Sequence, residues 1–331
     1  MKNFLKSLLG GSPTPKGLAR DEQGAEFYSQ FGGLWTDRKD AAAVLDRKAA
    51  QDPKIAAIRP LLEKFIRDGY VILEQAVAPA LIDQYLADLD RHMQSGTSPL
   101  KVSVPVYGPE DKGIVGLDGA NMAAPLSKIL DTYHHMPSAQ PMVFNAAVQH
   151  FLRTVFEEDL WAFQGLHFER GSTQAVHQDT AYVVSEKPLQ LCASWLALED
   201  VQAGSGELIY YPGSHHSFKD WLYSGKYKHY NHERDKHEEH LGQLDSLVRR
   251  AQEQGIALES FLPKKGDVLI WSADLAHGGS QITDASLTRR SLVTHFSPAS
   301  STPNYFKYRL PHQRKRQEVQ PGCFTASMYY D

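Results

Sequence analysis

From about residue 160 the chain becomes a series of short apolar runs, each cut off by glycine, proline or an acidic residue. "LWAFQGLHFE", "LQLCASWLALED", "GELIYYPGS", "GDVLIW" and "RRSLVTHFS" are short for helices and read as strands. Several such strands in succession predict a sandwich or jelly roll. The stretch ahead of them is helical in pattern. Leu61, Leu62, Phe65 and Ile66 recur at helical spacing after Pro60, and Gly69 ends that helix. "YVILE" reads as a strand. "APALIDQYLADLDRHM" reads as a helix with Leu81, Ile82, Tyr85, Leu86 and Leu89 on one face. Residues 125–136 and 143–157 are expected to be helical too.

The expected fold class is therefore mainly β with flanking helices (α+β). Its core is a double-stranded β-helix, jelly-roll or cupin-like, over about residues 160–300. Residues 1–50 read as leader, linker ("GGSPTPKG") and flank, and residues 51–331 as a single domain. A polar insert at about 215–258 interrupts the strands; its second half is helical and charged, and its length suits a lid. Its histidines at 215, 216, 229, 232, 237 and 240 show no coherent ligand spacing and read as a solvated lid rather than a second metal site.

Composition narrows the partners. A net charge of −4 argues against bulk nucleic-acid or membrane binding. Phe4, Leu5, Leu8 and Leu9 make an apolar patch broken by Lys6, too short for a signal-peptide core, and no run spans a bilayer. The two cysteines, Cys192 and Cys323, imply no disulfide framework, so a cytoplasmic location is expected. A basic run, "FKYRLPHQRKRQ", reads as solvated surface. Oligomeric state is not legible.

The chemistry concentrates in "VHQDT". In a strand, residues two apart share a face, so His177 and Asp179 aim at one point while Gln178 faces away. Alone, the pair would read as a solvated loop. His277 in "DLAHGGS" offers a third donor. Two histidines and one carboxylate on one side of an ion leave the other positions open, the arrangement of non-haem Fe(II) oxygenases. Twelve residues past His277 comes Arg289, with Ser291 on the same strand face. A guanidinium fork and a hydroxyl suit the distal carboxylate of a dicarboxylic acid such as 2-oxoglutarate. Arg290 is the alternative if a bulge in "QITDASLT" reverses the inward face.

The order His177-x-Asp179, His277, Arg289-x-Ser291 resembles the Fe(II)/2-oxoglutarate-dependent oxygenases. "DGYVILEQAVAPALIDQYLADLD", "HQDTAY", "WLALEDVQAGSGELIYYPGSHH" and "KKGDVLIWSADLAHGGS" resemble one branch, the phytanoyl-CoA dioxygenase family, over roughly residues 60–300. The resemblance implies that His177, Asp179 and His277 hold Fe(II), and that 2-oxoglutarate and O₂ are used. It implies that Trp195 and Gln164 line the cosubstrate pocket, and that Thr180 and Tyr182 lie on the substrate side. It implies hydroxylation of an unactivated C–H bond of a small molecule, with release of succinate and CO₂. The family's halogenating relatives lack the carboxylate that Asp179 supplies. Two competing readings are a jelly-roll binding protein without turnover and a metal enzyme that needs no cosubstrate.

Overall fold

A computed structural model describes residues 18–22, 24–105, 113–123, 126–218, 220–304 and 316–330. The Phe4–Leu9 patch and most of the basic run at 306–317 lie outside the described residues. The strands are β1 (Tyr70–Leu73), β2 (Lys101–Val104), β3 (Gly113–Gly116), β4 (Lys128–Leu130), β5 (Leu160–Phe168), β6 (Cys192–Ala197), β7 (Leu208–Tyr210), β8 (Glu259–Phe261), β9 (Val268–Ser272), β10 (His277–Gly279), β11 (Ser291–Pro298), β12 (Gln317–Gln320) and β13 (Cys323–Thr325). Among the described residues they make a large sheet in the order β1-β9-β6-β11-β5-β4-β2-β3, with β13 and β12 beside β5, and a small sheet β10-β7-β8. Pairing is antiparallel apart from β13 on β5. This is the expected α+β jelly roll.

Strand periodicity assigns each side chain to one of two cores. On β9, Val268 and Ile270 pack toward the helical layer, while Leu269 and Trp271 face the small sheet. On β11, Leu292 and Phe296 join the helical side and Val293 the other. The helical layer comprises Arg59–Asp68, Pro79–Gln94 and Ala146–Phe156. It buries Leu62, Phe65, Ile82, Tyr85, Phe151 and Leu152 against the sheet. Gly69 ends the first of these helices at φ 79°, its N–H bonded to the Phe65 carbonyl. A β-carbon there would also strike the His215 ring, so the position requires glycine twice over.

Three expectations are corrected. Of the expected helix at 125–136, the described residues 126–136 are not helical: they include β4 and the 3₁₀ turn Thr132–His134. Leu126 and Asp131 take positive φ (61° and 43°), which no helix tolerates, and β4 gains hydrogen bonds from β5 and β2 instead. Residues 41–51 are helical, and Trp35, Val44 and Leu45 are buried in the main core, so the packed unit begins before residue 50. The insert is not simply solvated. Its helix His237–Glu253 packs Leu247 and Ala251 against Tyr211, Phe218 and Ala276. Among the described residues, no helix is long and apolar enough to cross a membrane.

Asp131 ties the C-terminal segment to the sheet. Its Oδ1 accepts from the Gly165 N–H (2.6 Å) and Tyr133 OH (3.2 Å), and its Oδ2 from Ser327 Oγ (2.6 Å). Burial pushes the carboxyl up to about 7. The folded state therefore holds this proton between about 4 and 7 while the unfolded chain has lost it, and stability falls as pH rises through that window. Asp131→Asn keeps the shape and tolerates the positive φ. It is expected to remove a slope of at most about 1.4 kcal/mol per pH unit, read by urea denaturation from pH 4 to 8. An unchanged slope would mean that Asp131 does not hold the proton.

Candidate metal centre and its cavity

His177 and His277 meet in a single antiparallel bridge. The His177 N–H donates to the His277 carbonyl (2.8 Å) and the reverse bond is 2.9 Å. The two rings lie 4.4 Å apart. The close approach explains the Gly-Gly tail of His277. A β-carbon on Gly278 would lie 2.7 Å from the Gln174 carbonyl oxygen, and one on Gly279 would lie 2.9 Å from the Thr173 nitrogen. The strand reading of "VHQDT" is corrected. Only His177 pairs, and Asp179 opens a 3₁₀ turn, Asp179–Ala181. That turn, rather than strand alternation, swings the carboxylate beside the imidazoles.

Each donor is oriented by a partner behind it. His177 Nδ1 donates to the Ala175 carbonyl (2.8 Å) and His277 Nδ1 to the Leu275 carbonyl (2.9 Å). Both rings thus turn Nε2, with its lone pair, toward Asp179 Oδ1, at 3.8 and 3.6 Å. Trp271 Nε1 donates to Asp179 Oδ2 (2.8 Å) and leaves Oδ1 free to face the histidines. Burial, and next the neighbouring His277, push His177 down to about 3, so it is neutral at physiological pH. Burial pushes Asp179 up, but His277, His295 and His177 outweigh it and hold the carboxyl below its usual range. The three donor atoms lie within 4.8 Å of one another. Two imidazole nitrogens and one carboxylate oxygen, buried and with one side open to a cavity, fit a divalent iron.

The cavity holds about 440 Å³ and is lined by all three residues together with Arg289, Trp195, Gln164 and Tyr182. Arg289 is 2% exposed and lies 5.5 and 5.6 Å over the Trp195 and Phe168 rings. It donates to the Gly206 carbonyl (3.0 Å), its Nε has no partner, and no described carboxylate pairs with it. Burial lowers it to about 10, partly opposed by Glu207. A buried guanidinium without a counter-charge is costly, and an anionic ligand would relieve it. Arg290 points elsewhere: it is half-exposed and paired with Glu169 (2.9 Å). Ser291 is fully buried with its Oγ unsatisfied. It does not line the cavity, although it shares the strand register of Val293 and His295, which do.

Gln164 Nε2 approaches Tyr329 OH (3.5 Å). Tyr182 sits at the rim, its OH against His240 Nε2 (3.0 Å) of the insert helix. Thr180 is corrected. It does not reach the cavity; it is buried and donates to Asp274 Oδ1 (2.6 Å). Sequence reasoning missed Lys128, His295, Met328 and Tyr329, which also line the cavity. Lys128 was hidden by the helical reading of its segment; on a strand it faces opposite to the buried Ile129. His295 was available from strand alternation with Ser291, and its Nε2 lies 3.5 Å from Asp179 Oδ2. Met328 and Tyr329 carried no local signal.

The sequence pattern of the phytanoyl-CoA dioxygenase (PhyH) family matches residues 65–291. The chain belongs to the phytanoyl-CoA dioxygenase family. Fe(II), 2-oxoglutarate and O₂ are the cofactors of this class of oxygenase. A curated relative is the phytanoyl-CoA dioxygenase domain-containing protein 1 homolog of Caenorhabditis elegans, 24% identical over 185 residues. The match covers 47% of this chain and 64% of that protein. Among solved structures, the epimerase SnoN, in complex with Fe³⁺, alpha ketoglutarate and nogalamycin RO, has a TM-score of 0.57 at 17% identity, covering 83% of this chain and 99% of that one. The carbocyclase SnoK from nogalamycin biosynthesis has 0.53 at 14%, covering 73% and 85%. EctD from S. alaskensis, with 2-oxoglutarate and 5-hydroxyectoine, has 0.50 at 18%, covering 72% and 75%. At these identities the structural likenesses establish the shared fold.

In this family member, a buried charge network binds the insert to the turns that carry the candidate metal ligands. Lys228 Nζ pairs with Asp274 Oδ2 (2.7 Å) and Asp220 Oδ1 (3.3 Å), and is 4% exposed. Asp274 also accepts Thr180 through its carboxylate and Gln178 Nε2 through its carbonyl (2.8 Å). Asp220 accepts Ser29 Oγ (2.8 Å) and the Gln30 N–H (3.1 Å). Lys228→Met strands two carboxylates and is expected to cost about 3–5 kcal/mol in chemical denaturation. Adding Asp274→Asn should recover part of that loss. A loss below about 1 kcal/mol, the range of exposed pairs, would show that water reaches these charges.

Proposed function

We propose that this protein is an Fe(II)- and 2-oxoglutarate-dependent dioxygenase that hydroxylates an unactivated C–H bond of a small molecule. The observation that carries this reading is the buried Arg289 guanidinium, without a carboxylate partner among the described residues, in the same cavity as His177, Asp179 and His277. Those three residues would hold the iron. Bound iron, with 2-oxoglutarate and O₂, supplies an oxidant able to take hydrogen from such a bond, with succinate and CO₂ released.

The protein's part is to bind, orient and exclude water. With Nδ1 committed to backbone carbonyls, the two imidazoles would present Nε2 to the iron. Arg289 offers a fork to the distal carboxylate of 2-oxoglutarate. Lys128 adds a second cation to the cavity; burial lowers it, and a dianionic cosubstrate would restore it. Trp195, Phe168, Leu208 and Val293 keep the cosubstrate side dry. Gln164 and Tyr182 are left as polar contacts at the cavity wall. Asp179 fills the third ligand position with a carboxylate, which supports hydroxylation over halogenation. The epimerase and the carbocyclase on the same fold make product identity the deciding measurement for the outcome.

Anaerobic addition of Fe(II) and then 2-oxoglutarate should give a saturable visible charge-transfer band. His177→Ala should abolish it. Arg289→Ala should weaken 2-oxoglutarate binding by about 10- to 100-fold, the worth of a charge-assisted bond. Iron bound without any band would favour a metal enzyme that needs no cosubstrate.

A further inference from the structure

The histidines set aside as lid decoration include two that are not on the lid's surface. His215 and His216 occupy the one-turn helix Ser214–Ser217 that follows β7. They face Asp37, at the end of the 3₁₀ turn Trp35–Asp37 in the N-terminal segment. One ligand atom from each lies within 4.8 Å of the other two. Both ring nitrogens of His215, His216 Nε2 and Ser272 Oγ are buried without a hydrogen-bond partner. The Ile66 carbonyl lies near the His215 ring but outside hydrogen-bond geometry. His216 Nε2 stands 3.4 Å from Asp37 Oδ1, also out of line for a bond. All four of these residues line one small void of about 10 Å³. That is about the space of a single water or ion.

Buried polar atoms rarely stay unsatisfied, and the residues that carry these line the same void. The side chains are also held in place. Asp37 Oδ2 accepts the Leu34 N–H (2.8 Å), which leaves Oδ1 toward His216. The His216 ring is stacked between Tyr28 (3.9 Å) and His215 (3.8 Å), and His215 rests on the bare backbone of Gly69. A water has only two protons to donate. A cation can accept a lone pair from Asp37 and from each histidine at once. Two imidazoles and a carboxylate are a donor set for a transition metal, with Ser272 Oγ or a water available as the fourth.

We propose that Asp37, His215 and His216 form a second cation site, suited to zinc, that clamps the N-terminal segment onto the turn following β7. The clamp is structural and stands apart from the proposed oxygenase chemistry. One link to the candidate iron centre is Ser214, whose Oγ accepts the Ala276 N–H (2.8 Å) beside His277.

The test uses the full chain with its iron site removed by His177→Ala and His277→Ala. After exposure to Zn²⁺ and dialysis, metal analysis should find one retained equivalent, and zinc should raise the melting temperature. Adding Asp37→Asn or His216→Gln, which preserve side-chain size, should lower zinc affinity by at least about 100-fold, more than the loss of an outer-shell partner causes. His215→Ala is avoided as the sole test because that ring is packed under Gly69. No retained zinc in a chain that still melts cooperatively would overturn the proposal and assign the void to a water. Zinc retained equally by Asp37→Asn and His216→Gln would overturn it too, by locating the metal elsewhere.

Discussion

Two backbone hydrogen bonds between His177 and His277 hold the candidate centre together. They join segments a hundred residues apart, one a turn outside either sheet, the other the start of β10. Without them the imidazoles would have no common target. The approach is possible because Gly278 and Gly279 present no side chains to the Thr173–Gln174 backbone. The local chain then finishes the site: the 3₁₀ turn brings in Asp179, Trp271 holds one of its oxygens, and two carbonyls set the ring tautomers.

Arg289 lies in a different energetic regime. The donors around His177 are mutually supported, whereas this guanidinium is buried beside aromatic rings with no carboxylate partner among the described residues. Such a group is tolerated where a ligand completes it. The cavity thus combines a preorganised donor set with an incomplete electrostatic pair. That asymmetry separates a binding site from a charge network like that of Lys228, whose carboxylates come from the chain itself.

The insert is integrated into this arrangement. Lys228 ties it to Asp274, which in turn holds Gln178 and Thr180 on either side of Asp179. His240 contacts Tyr182 at the cavity rim. A polar sequence between strands suggested a solvated lid because composition reports average polarity. It cannot report which lysine finds two buried carboxylates.

Patterns of short range were legible in the sequence. The short apolar runs marked β9 and β11 as strands, and the helical repeats before residue 100 met Gly69 at the expected stop. The order His177, Asp179, His277, Arg289 carried the resemblance to the Fe(II)/2-oxoglutarate oxygenases, and four longer stretches carried the resemblance to the family, because residue type and order are written along the chain. What depends on contact between distant segments was not legible. Lys128–Leu130, expected to be part of a helix, is a strand because β5 and β2 supply its hydrogen bonds. Thr180 turns away from the cavity to meet Asp274, and the C-terminal Met328 and Tyr329 arrive as cavity wall through Asp131 and Ser327. Local propensity and spacing act over one turn or one pleat. The partner of a buried charge or an unpaired backbone group is chosen only when the sheets close and the solvent that could have served instead is gone.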